Sequence, residues 1–263
     1  MAERLDRYLV TKGFARSRER AKALISEGKV LINGKPADKA SILIDDGDKV
    51  EAGEDIKYVG RGALKLIKAI DCFEIDLSGV ICGDLGASTG GFTQVMLERG
   101  AERVYAVDVG HGQLDEMLVN DSRVIDLEGV NVKELDESLI PEKLPFISAD
   151  LSFISLKNIT DVFCRLLTDD GCAVVLIKPQ FEAGRQALNK KGIVTAQADH
   201  IRVLNELIDS FSPAGLFIHR LTFSPVRGGS GNIEYLALLK KTPAKDIIDF
   251  HSVVKEAFVE LRK

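Results

Sequence analysis

The chain has 263 residues, of which 45% are hydrophobic and 29% are charged, a balance that is typical of a folded globular protein and excludes a disordered one. Its formal net charge of -5 at pH 7 excludes a protein that is basic throughout, so a site for a polyanion has to be a local patch. The amino terminus, MAERLDRYLV, is charged where a secretory signal would be apolar, and no apolar run approaches the roughly 20 residues of a membrane helix. We therefore expect a cytoplasmic protein without a membrane partner.

Basic residues are concentrated in the first forty positions, and the charge reverses in the acidic stretch ILIDDGDKVEAGED, which favours a domain end near Asp55. The spacing of apolar residues in the basic part predicts two short helices, the second of which begins at Ser17. Turn pairs such as Asn33-Gly34 then separate three short β runs, at residues 30–32, 42–44 and 49–50. The pattern predicts a small α+β domain over residues 1–55, followed by a linker over residues 56–62.

The segment RLDRYLVTKGFARSRERAKALISEGKVLINGK resembles the RNA-binding domain first described in the fourth protein of the small ribosomal subunit. The resemblance covers about residues 1–55 and implies that basic side chains meet RNA phosphates, contacts that position RNA without reading its sequence. The alternative is a basic helix face that is only solvated. The residues expected to contact RNA are Arg4, Arg16, Arg18, Arg20 and Lys22.

From Val80 onward, runs rich in β-forming residues alternate with helical ones, beginning with VICGDL and FTQVMLERG and ending with GLFIHRLTFS and NIEYLALL. This alternation predicts an α/β fold over residues 63–263, a doubly wound and mostly parallel Rossmann-like sheet with helices on both faces. Ligands of such sheets bind beyond the carboxyl ends of the strands. The loop in CGDLGASTGGF lies at that edge, because it follows the first strand.

This loop has Gly86, Ser88 and Gly91 where a dinucleotide fingerprint would have three glycines. Because the middle glycine lets the backbone approach a pyrophosphate, a side chain there favours a nucleoside cofactor without phosphates, such as S-adenosylmethionine. Asp84 should lie near the amino acid part of that cofactor, and Asp108, which ends the second strand, should accept hydrogen bonds from ribose hydroxyls. A glycine loop that only makes a structural turn is the alternative.

Six stretches resemble the TlyA or hemolysin A family, over essentially the whole chain: RGALKL, DLGASTGGFT, VYAVDVGHGQL, DLSFISL, LIKPQFEAGR and GNIEYL. The resemblance implies an FtsJ-like methyltransferase that uses S-adenosylmethionine and acts on ribose 2′-hydroxyls of ribosomal RNA, with ribosomal RNA or ribosomal subunits as partners. The residues expected to contact the cofactor are Asp84, Gly86, Ala87, Ser88, Thr89, Gly90, Gly91, Phe92, Asp108, Val109, Glu128 and Asp150.

The same resemblance implies a catalytic tetrad, which falls on Lys65, Asp150, Lys178 and Glu234. A ribose hydroxyl is a poor nucleophile and has to attack the methyl group in line, so much of the rate should come from orientation. We hypothesise that Lys178 accepts or steers the hydroxyl proton and that Asp150 holds this lysine. Lys65 and Glu234 would complete the polar cluster around the ribose.

Two other functions are considered from the sequence. Relatives usually show Glu-Arg-Thr-Asn-x-Arg after the third strand, whereas this chain has EGVNVK over residues 128–133, and a catalytically idle RNA-binding protein is therefore an alternative. A membrane-lytic protein, which the family name suggests, is opposed by the lack of an export signal. The target nucleotide, the ribosomal subunit and the oligomeric state are left open.

Two further expectations concern the loops at the same sheet edge. No metal site is expected, because His111 has no second ligand at metal-site spacing. Basic residues in these loops, together with the run RGGSGN, are expected to form an RNA-clamping loop or only a turn. These residues are Arg185, Lys190, Lys191 and Arg227.

Overall fold

The computed structural model describes residues 2–15, 17–26, 28–45, 47–52 and 58–262, and of Glu19 and Ala23 it describes the backbone alone. The chain divides into two compact units, Met1–Lys57 and Tyr58–Lys263. The second unit begins at Tyr58, whereas the sequence predicted a domain that begins at residue 63. The linker over residues 56–62 stays a prediction, because its first two residues lie outside the described ones.

The described residues of the first unit form two short helices and small antiparallel sheets. Strands β2, β3 and β5 form a three-stranded sheet in the order β3-β2-β5, and β1 pairs with β4. Its elements in chain order are β1 (Glu3–Arg4), α1 (Leu5–Thr11), α2 (Arg18–Ser26), β2 (Val30–Ile32), β3 (Lys35–Pro36), β4 (Leu43–Ile44) and β5 (Val50–Ala52).

Local sequence accounts for the boundaries in this unit. The second helix begins where the sequence predicted it, because the Ser17 hydroxyl accepts a hydrogen bond from the backbone N–H of Arg20 at 3.2 Å. Asn33 and Gly34 both have positive φ, 52° and 79°, as a tight hairpin turn between β2 and β3 requires. Leu5, Leu9 and Leu24 are fully buried and form the centre of the core.

The second unit has one seven-stranded sheet covered by helices, as the sequence predicted. Its described elements in chain order are α3 (Ala63–Phe73), β6 (Ile81–Leu85), α4 (Gly91–Glu98), β7 (Arg103–Asp108), α5 (Glu116–Val119), β8 (Val124–Glu128), β9 (Leu144–Ala149), α6 (Thr160–Leu166), β10 (Leu167–Ile177), α7 (Pro179–Glu182), α8 (Gln197–Phe211), β11 (Phe217–Phe223), β12 (Tyr235–Lys240) and α9 (Phe250–Glu260).

Both faces of this sheet are apolar, which explains why its strands are continuous hydrophobic runs. Alternate residues of a strand point to opposite faces, so Phe146 packs on the side of α3 and α4, and Ile147 packs on the side of α6, α8 and α9. Tyr235 and Leu236 divide in the same way at the start of β12. Burial of two apolar layers is the main source of stability for such a sheet.

The strand order brings distant segments of the chain to one sheet edge. The order is β11-β12-β10-β9-β6-β7-β8, in which the five strands from β10 to β8 run parallel. Strand β12 is antiparallel to β10, with Tyr235 opposite Ile177, so the beginning of β12 lies where β10 ends. Residues that precede β12 therefore join those that follow β6, β7, β9 and β10.

Candidate active site

The glycine loop after β6 has a backbone that only certain residues can adopt. Gly86 and Gly90 have φ values of 87° and 89°, and a Cβ atom on Gly86 would lie 2.7 Å from the carbonyl oxygen of Asp150. Ser88 has a positive φ of 49°, and its N–H donates to Asp108 Oδ2 at 2.9 Å. The loop is therefore closely apposed to the ends of both neighbouring strands, β7 and β9.

Asp84, a predicted cofactor contact, is buried beneath this loop. Its carboxyl group is fully buried under the loop, 2.7 Å from Thr93 Oγ1 and 3.1 Å from Ser148 Oγ, which are also fully buried. Burial raises the pKa of Asp84 to about 7, although the two hydroxyl donors oppose the rise. The role of Asp84 in binding the cofactor stays a prediction. This residue precedes the last residue of β6, and its side chain lies on the side of the sheet covered by α4, where Thr93 is located.

The four residues of the predicted tetrad converge at the sheet edge. Asp150 lies between the two lysines, 2.7 Å from Lys178 Nζ through Oδ1 and 3.4 Å from Lys65 Nζ through Oδ2. Glu234 Oε2 lies 2.8 Å from Lys65 Nζ. Lys65 is contributed by α3, Asp150 follows β9, Lys178 follows β10, and Glu234 precedes β12.

The tetrad has balanced charge and little exposure to solvent. Side-chain exposure is 10% for Lys178 and 11% for Lys65, compared with 20% for Asp150 and 3% for Glu234. Burial alone would lower the pKa of Lys65, but the carboxylates of Asp150 and Glu234 outweigh it and the pKa is raised. Lys65 is therefore a permanent cation in this cluster.

Two residues beside Lys178 were missed from the sequence. Ser152 Oγ accepts a hydrogen bond from Lys178 Nζ at 2.8 Å, and the same Nζ lies 5.8 Å from the ring centroid of Phe181. Ser152 lies two residues after Asp150 in the stretch DLSF. This nearness to a predicted site residue is the feature of the sequence from which its place in the site could have been predicted.

Two adjoining cavities meet at the tetrad. A cavity of about 320 Å³ is lined by the tetrad and by Gly60, Arg61 and Gly62, and a second, of about 450 Å³, extends to Asp108 and Val109. Gly86, Ser88, Asp150 and Ser152 line both. Of the other predicted cofactor residues, those that line the tetrad cavity are Ala87, Thr89, Gly91 and Phe92.

Gly90 and Glu128 shape the second cavity rather than line it. A Cβ atom on Gly90 would lie 2.2 Å from Leu118 Cδ1, so the residue has to be glycine for α5 to pack here. The Glu128 carboxylate accepts backbone N–H groups of Gly112, Gln113 and Leu114, at 2.6 to 3.0 Å. These bonds lower the pKa of Glu128, against the opposing effect of its desolvation. Glu128 therefore holds the loop after β7.

Gly129, the first altered residue after Glu128, lies against the His111 ring. Gly129 has a positive φ of 77°, and a Cβ atom there would lie 2.3 Å from His111 Cε1. The His111 ring thus occupies the space that any larger residue at position 129 would need. Among the described residues no group of metal ligands accompanies His111.

The mouth of the second cavity carries an exposed aromatic ring. Phe153 is 91% exposed, has a positive φ of 64°, and its ring centroid lies 5.2 Å from that of Phe181. The segment that carries it is held by Glu182, which accepts from Ser155 Oγ at 2.6 Å and from the Leu156 N–H at 2.8 Å. An apolar ring that is held in solvent is available for stacking.

Basic residues predicted to meet RNA have varied surroundings. In the first unit, Arg4 and Arg18 both donate to the buried carboxylate of Asp6, and Arg18 Nη2 lies 2.7 Å from Asp6 Oδ2. Lys22 is exposed on α2, Arg20 is half-buried, and Arg16 lies outside the described residues. In the second unit, Arg227 donates to the carbonyl oxygens of Gly231 and Leu261, so it ties the loop down instead of pointing from it.

Two family models match the chain. The S4 domain matches residues 3–50, and the FtsJ-like methyltransferase matches residues 58–241. Among the part of the chain that the structure describes, no helix is both long and apolar enough to span a membrane.

Several known proteins are similar over most of the chain. Hemolysin A of Brachyspira hyodysenteriae is 41% identical over 89% of this chain and 98% of its own length. TlyA of Mycobacterium tuberculosis, named a 16S/23S rRNA (cytidine-2′-O)-methyltransferase, is 40% identical over 90% of this chain and 89% of its own. A Streptococcus thermophilus protein of known structure, described as a hemolysin, has a TM-score of 0.80 and 40% identity, over 99% of this chain and 97% of its own. Both parts of the resemblance seen in the sequence are confirmed.

Proposed function

The chain belongs to the FtsJ-like methyltransferase family, with an S4 domain ahead of the catalytic unit, and from this premise we propose that it methylates ribose 2′-hydroxyls of ribosomal RNA. Its methyl donor is S-adenosylmethionine. The observation that carries the proposal is the convergence of two lysines and two carboxylates beside the glycine loop. Three consecutive lysine–carboxylate contacts, each of 3.4 Å or less, connect the four side chains. The name of the Mycobacterium tuberculosis relative supports the same substrate.

The second cavity fits the proposed cofactor. It is lined by two carboxylates, Asp108 and Asp150, and by apolar side chains such as Val132, Leu151 and Ile154, with no lysine or arginine among its lining residues. Carboxylates suit ribose hydroxyls and a cationic sulfonium centre, whereas a dinucleotide would place a pyrophosphate there. Asp108 would hold the ribose, and the backbone of Gly86 would line the path toward the tetrad.

The tetrad would act on the substrate ribose from the adjoining cavity. S-adenosylmethionine supplies the methyl group on its sulfonium. In its neutral form Lys178 accepts the proton of the 2′-hydroxyl, while Asp150 orients its amine. Lys65, held as a cation by Glu234 and Asp150, stabilises the negative charge that develops on the ribose oxygen.

The surface around the cavities suits RNA rather than a small molecule. The exposed ring of Phe153 can stack on a base, as single-stranded nucleic acids do on aromatic side chains. The first unit would add affinity through phosphate contacts of its basic residues, which position RNA without selecting a sequence. The proposal places the protein with ribosomes in the cytoplasm.

The proposal is tested by methyl transfer to purified small and large ribosomal subunits with radiolabelled S-adenosylmethionine, followed by mapping of 2′-O-methyl sites. We expect label at a defined ribose, and labelling that is at least about 100-fold slower with Lys178→Ala. Label on a base would contradict the ribose assignment. RNA binding without transfer would favour the idle RNA-binding protein, and lysis of erythrocytes by the purified chain would favour the membrane-lytic one.

A further inference from the structure

Ser152 and Asp150 both contact the amine of Lys178. The hydroxyl oxygen of Ser152 lies 2.8 Å from Lys178 Nζ, and Asp150 Oδ1 lies 2.7 Å from the same nitrogen. An ammonium group has three N–H donors, so two of them are directed at the segment after β9. Ser152 is itself exposed and lines both cavities, which puts this contact at the boundary between them.

The two lysines of the tetrad differ in their second partner. Lys65 contacts two carboxylates, Glu234 at 2.8 Å and Asp150 at 3.4 Å. Lys178 contacts one carboxylate and one neutral hydroxyl. Each further carboxylate favours the protonated form of a lysine, whereas a hydroxyl orients the amine with little added charge.

We propose that Ser152 is a positioning residue, whose hydroxyl fixes Lys178 Nζ at the boundary of the two cavities without adding a second negative charge. The inference rests on the proposed function, in which Lys178 exchanges a proton with the substrate. Small displacements of a reacting group lower the reaction rate strongly. A single hydrogen bond that fixes the position of the Lys178 amine should therefore raise the rate of methyl transfer.

The segment around Ser152 has independent support. Glu182 binds Ser155 Oγ and the Leu156 N–H, so removal of the Ser152 hydroxyl leaves the anchors of the segment in place. Ser155→Ala is therefore a matched control, because it removes a hydroxyl from the same segment without touching Lys178. The charged groups that face Lys178 from other elements are Asp150, Lys65 and Glu234, with Arg61 and Arg227 on the cavity wall.

Three variants, Ser152→Ala, Ser152→Thr and Ser152→Asp, would be compared with the parent chain and the control in single-turnover methyl transfer to ribosomal subunits from pH 6 to 10. We expect Ser152→Ala to slow transfer by about 10- to 100-fold, less than the roughly 10²- to 10⁴-fold contributed by a group that itself transfers the proton, because Asp150 still holds the amine. Ser152→Thr should stay within about 3-fold of the parent. Ser152→Asp should move the midpoint of the pH–rate curve upward by about one unit, because it adds a carboxylate beside Lys178.

Three further measurements separate positioning from a merely structural role. Cofactor affinity by calorimetry and the melting temperature should be unchanged in Ser152→Ala, whereas Ser155→Ala should lower the melting temperature and keep the parental pH midpoint. Carbon-13 NMR of the lysine side chains should show Lys178 titrating at higher pH in Ser152→Asp, a readout that does not need activity.

The outcomes are distinguishable. Parental rate and pH profile in Ser152→Ala, with an active parent chain, would overturn the inference alone. Equal losses of rate and melting temperature in Ser152→Ala and Ser155→Ala would assign Ser152 a structural role and also overturn it. A parent chain that transfers no methyl group contradicts the proposed function, and an unchanged Lys178 titration in Ser152→Asp then rejects the Ser152 contact as well.

Discussion

Each unit of this protein contains a carboxylate that serves two cations. In the first unit the arginine cluster consists of Arg4, Asp6 and Arg18, and in the second unit Asp150 stands between Lys65 and Lys178. The arginines are 45% and 47% exposed, whereas the lysines are 11% and 10% exposed. The arginine cluster keeps a net positive charge, and the tetrad, with Glu234 included, is neutral.

The difference follows from the chemistry of the two cations. A guanidinium group stays charged at any pH at which proteins fold, and its planar fork donates to a carboxylate while its outer edge still faces solvent. An amine is compact and can lose its proton when its surroundings favour it. The arginine cluster therefore suits binding of phosphates, and the tetrad suits exchange of a proton.

The strongest test of this contrast is to exchange the cation at Lys178. Lys178→Ala should slow methyl transfer by about 10²- to 10⁴-fold, because the residue proposed to accept the hydroxyl proton is lost. Lys178→Arg should restore little of the rate, because guanidinium does not release its proton. Single-turnover transfer, with cofactor affinity near that of the parent, is the measurement, and the exposed Lys255→Ala is the control. A fast arginine variant would show that only charge is needed at this position.

The second test removes the charge at the centre of the arginine cluster. The hydrogen bonds from Arg4 and Arg18 hold the pKa of Asp6 well below its usual range, so this carboxylate stays ionised far into acid. Asp6→Asn leaves two guanidinium groups beside a neutral side chain. Protection of the backbone N–H groups of the first unit against hydrogen exchange should therefore fall by about 10- to 100-fold. Asp38→Asn, an exposed change in the same unit, should lose almost none. Equal protection in both variants would mean that the cluster contributes nothing to folding.

The third test uses a carboxyl group that has no cation beside it. The pKa of Asp84 is raised to about 7, so the folded chain binds its proton more tightly than the unfolded chain, and stability from this group falls as pH rises from about 4 to about 7. Asp84→Asn should remove this loss and be more stable than the parent by about 1–2 kcal/mol at pH 8, with little difference at pH 4. Urea unfolding at both pH values is the measurement, and the exposed Asp209→Asn is the control. A gain that is equal at both pH values would contradict the ionisation of Asp84 as its cause.

The smallest expected effect concerns the salt dependence of RNA binding. If arginines of the cluster still reach phosphates with their outer edges, Arg18→Gln should make the slope of log affinity against log salt less negative by about 0.7 to 0.9. Lys22→Gln, which changes an exposed lysine of the same helix, should have a similar effect. An unchanged slope for Arg18→Gln, beside a changed one for Lys22→Gln, would mean that Asp6 keeps Arg18 from the RNA.

Patterns local to the sequence determined the fold class and the position of the glycine loop. Alternating apolar runs and helical periods indicate a doubly wound sheet, since a strand buried on both faces has to be apolar throughout. A loop that needs a positive φ at two positions favours glycine at both. Gly86 and Gly90 therefore allowed the loop to be predicted from the sequence. The tetrad was recognised from short motifs that were compared with a known family.

Only the tertiary structure decided which of these groups touch. Lys65 and Glu234 are 169 residues apart, and they meet because the antiparallel strand β12 begins where β10 ends, which no local pattern states. The same holds for the burial of Asp84 beneath the loop, for the contact of Ser152 with Lys178, and for the His111 ring over Gly129. Sequence patterns indicate the backbone conformation and the burial of each residue, because both depend on its neighbours along the chain. Hydrogen bonds between distant side chains depend instead on how the strands are ordered in space.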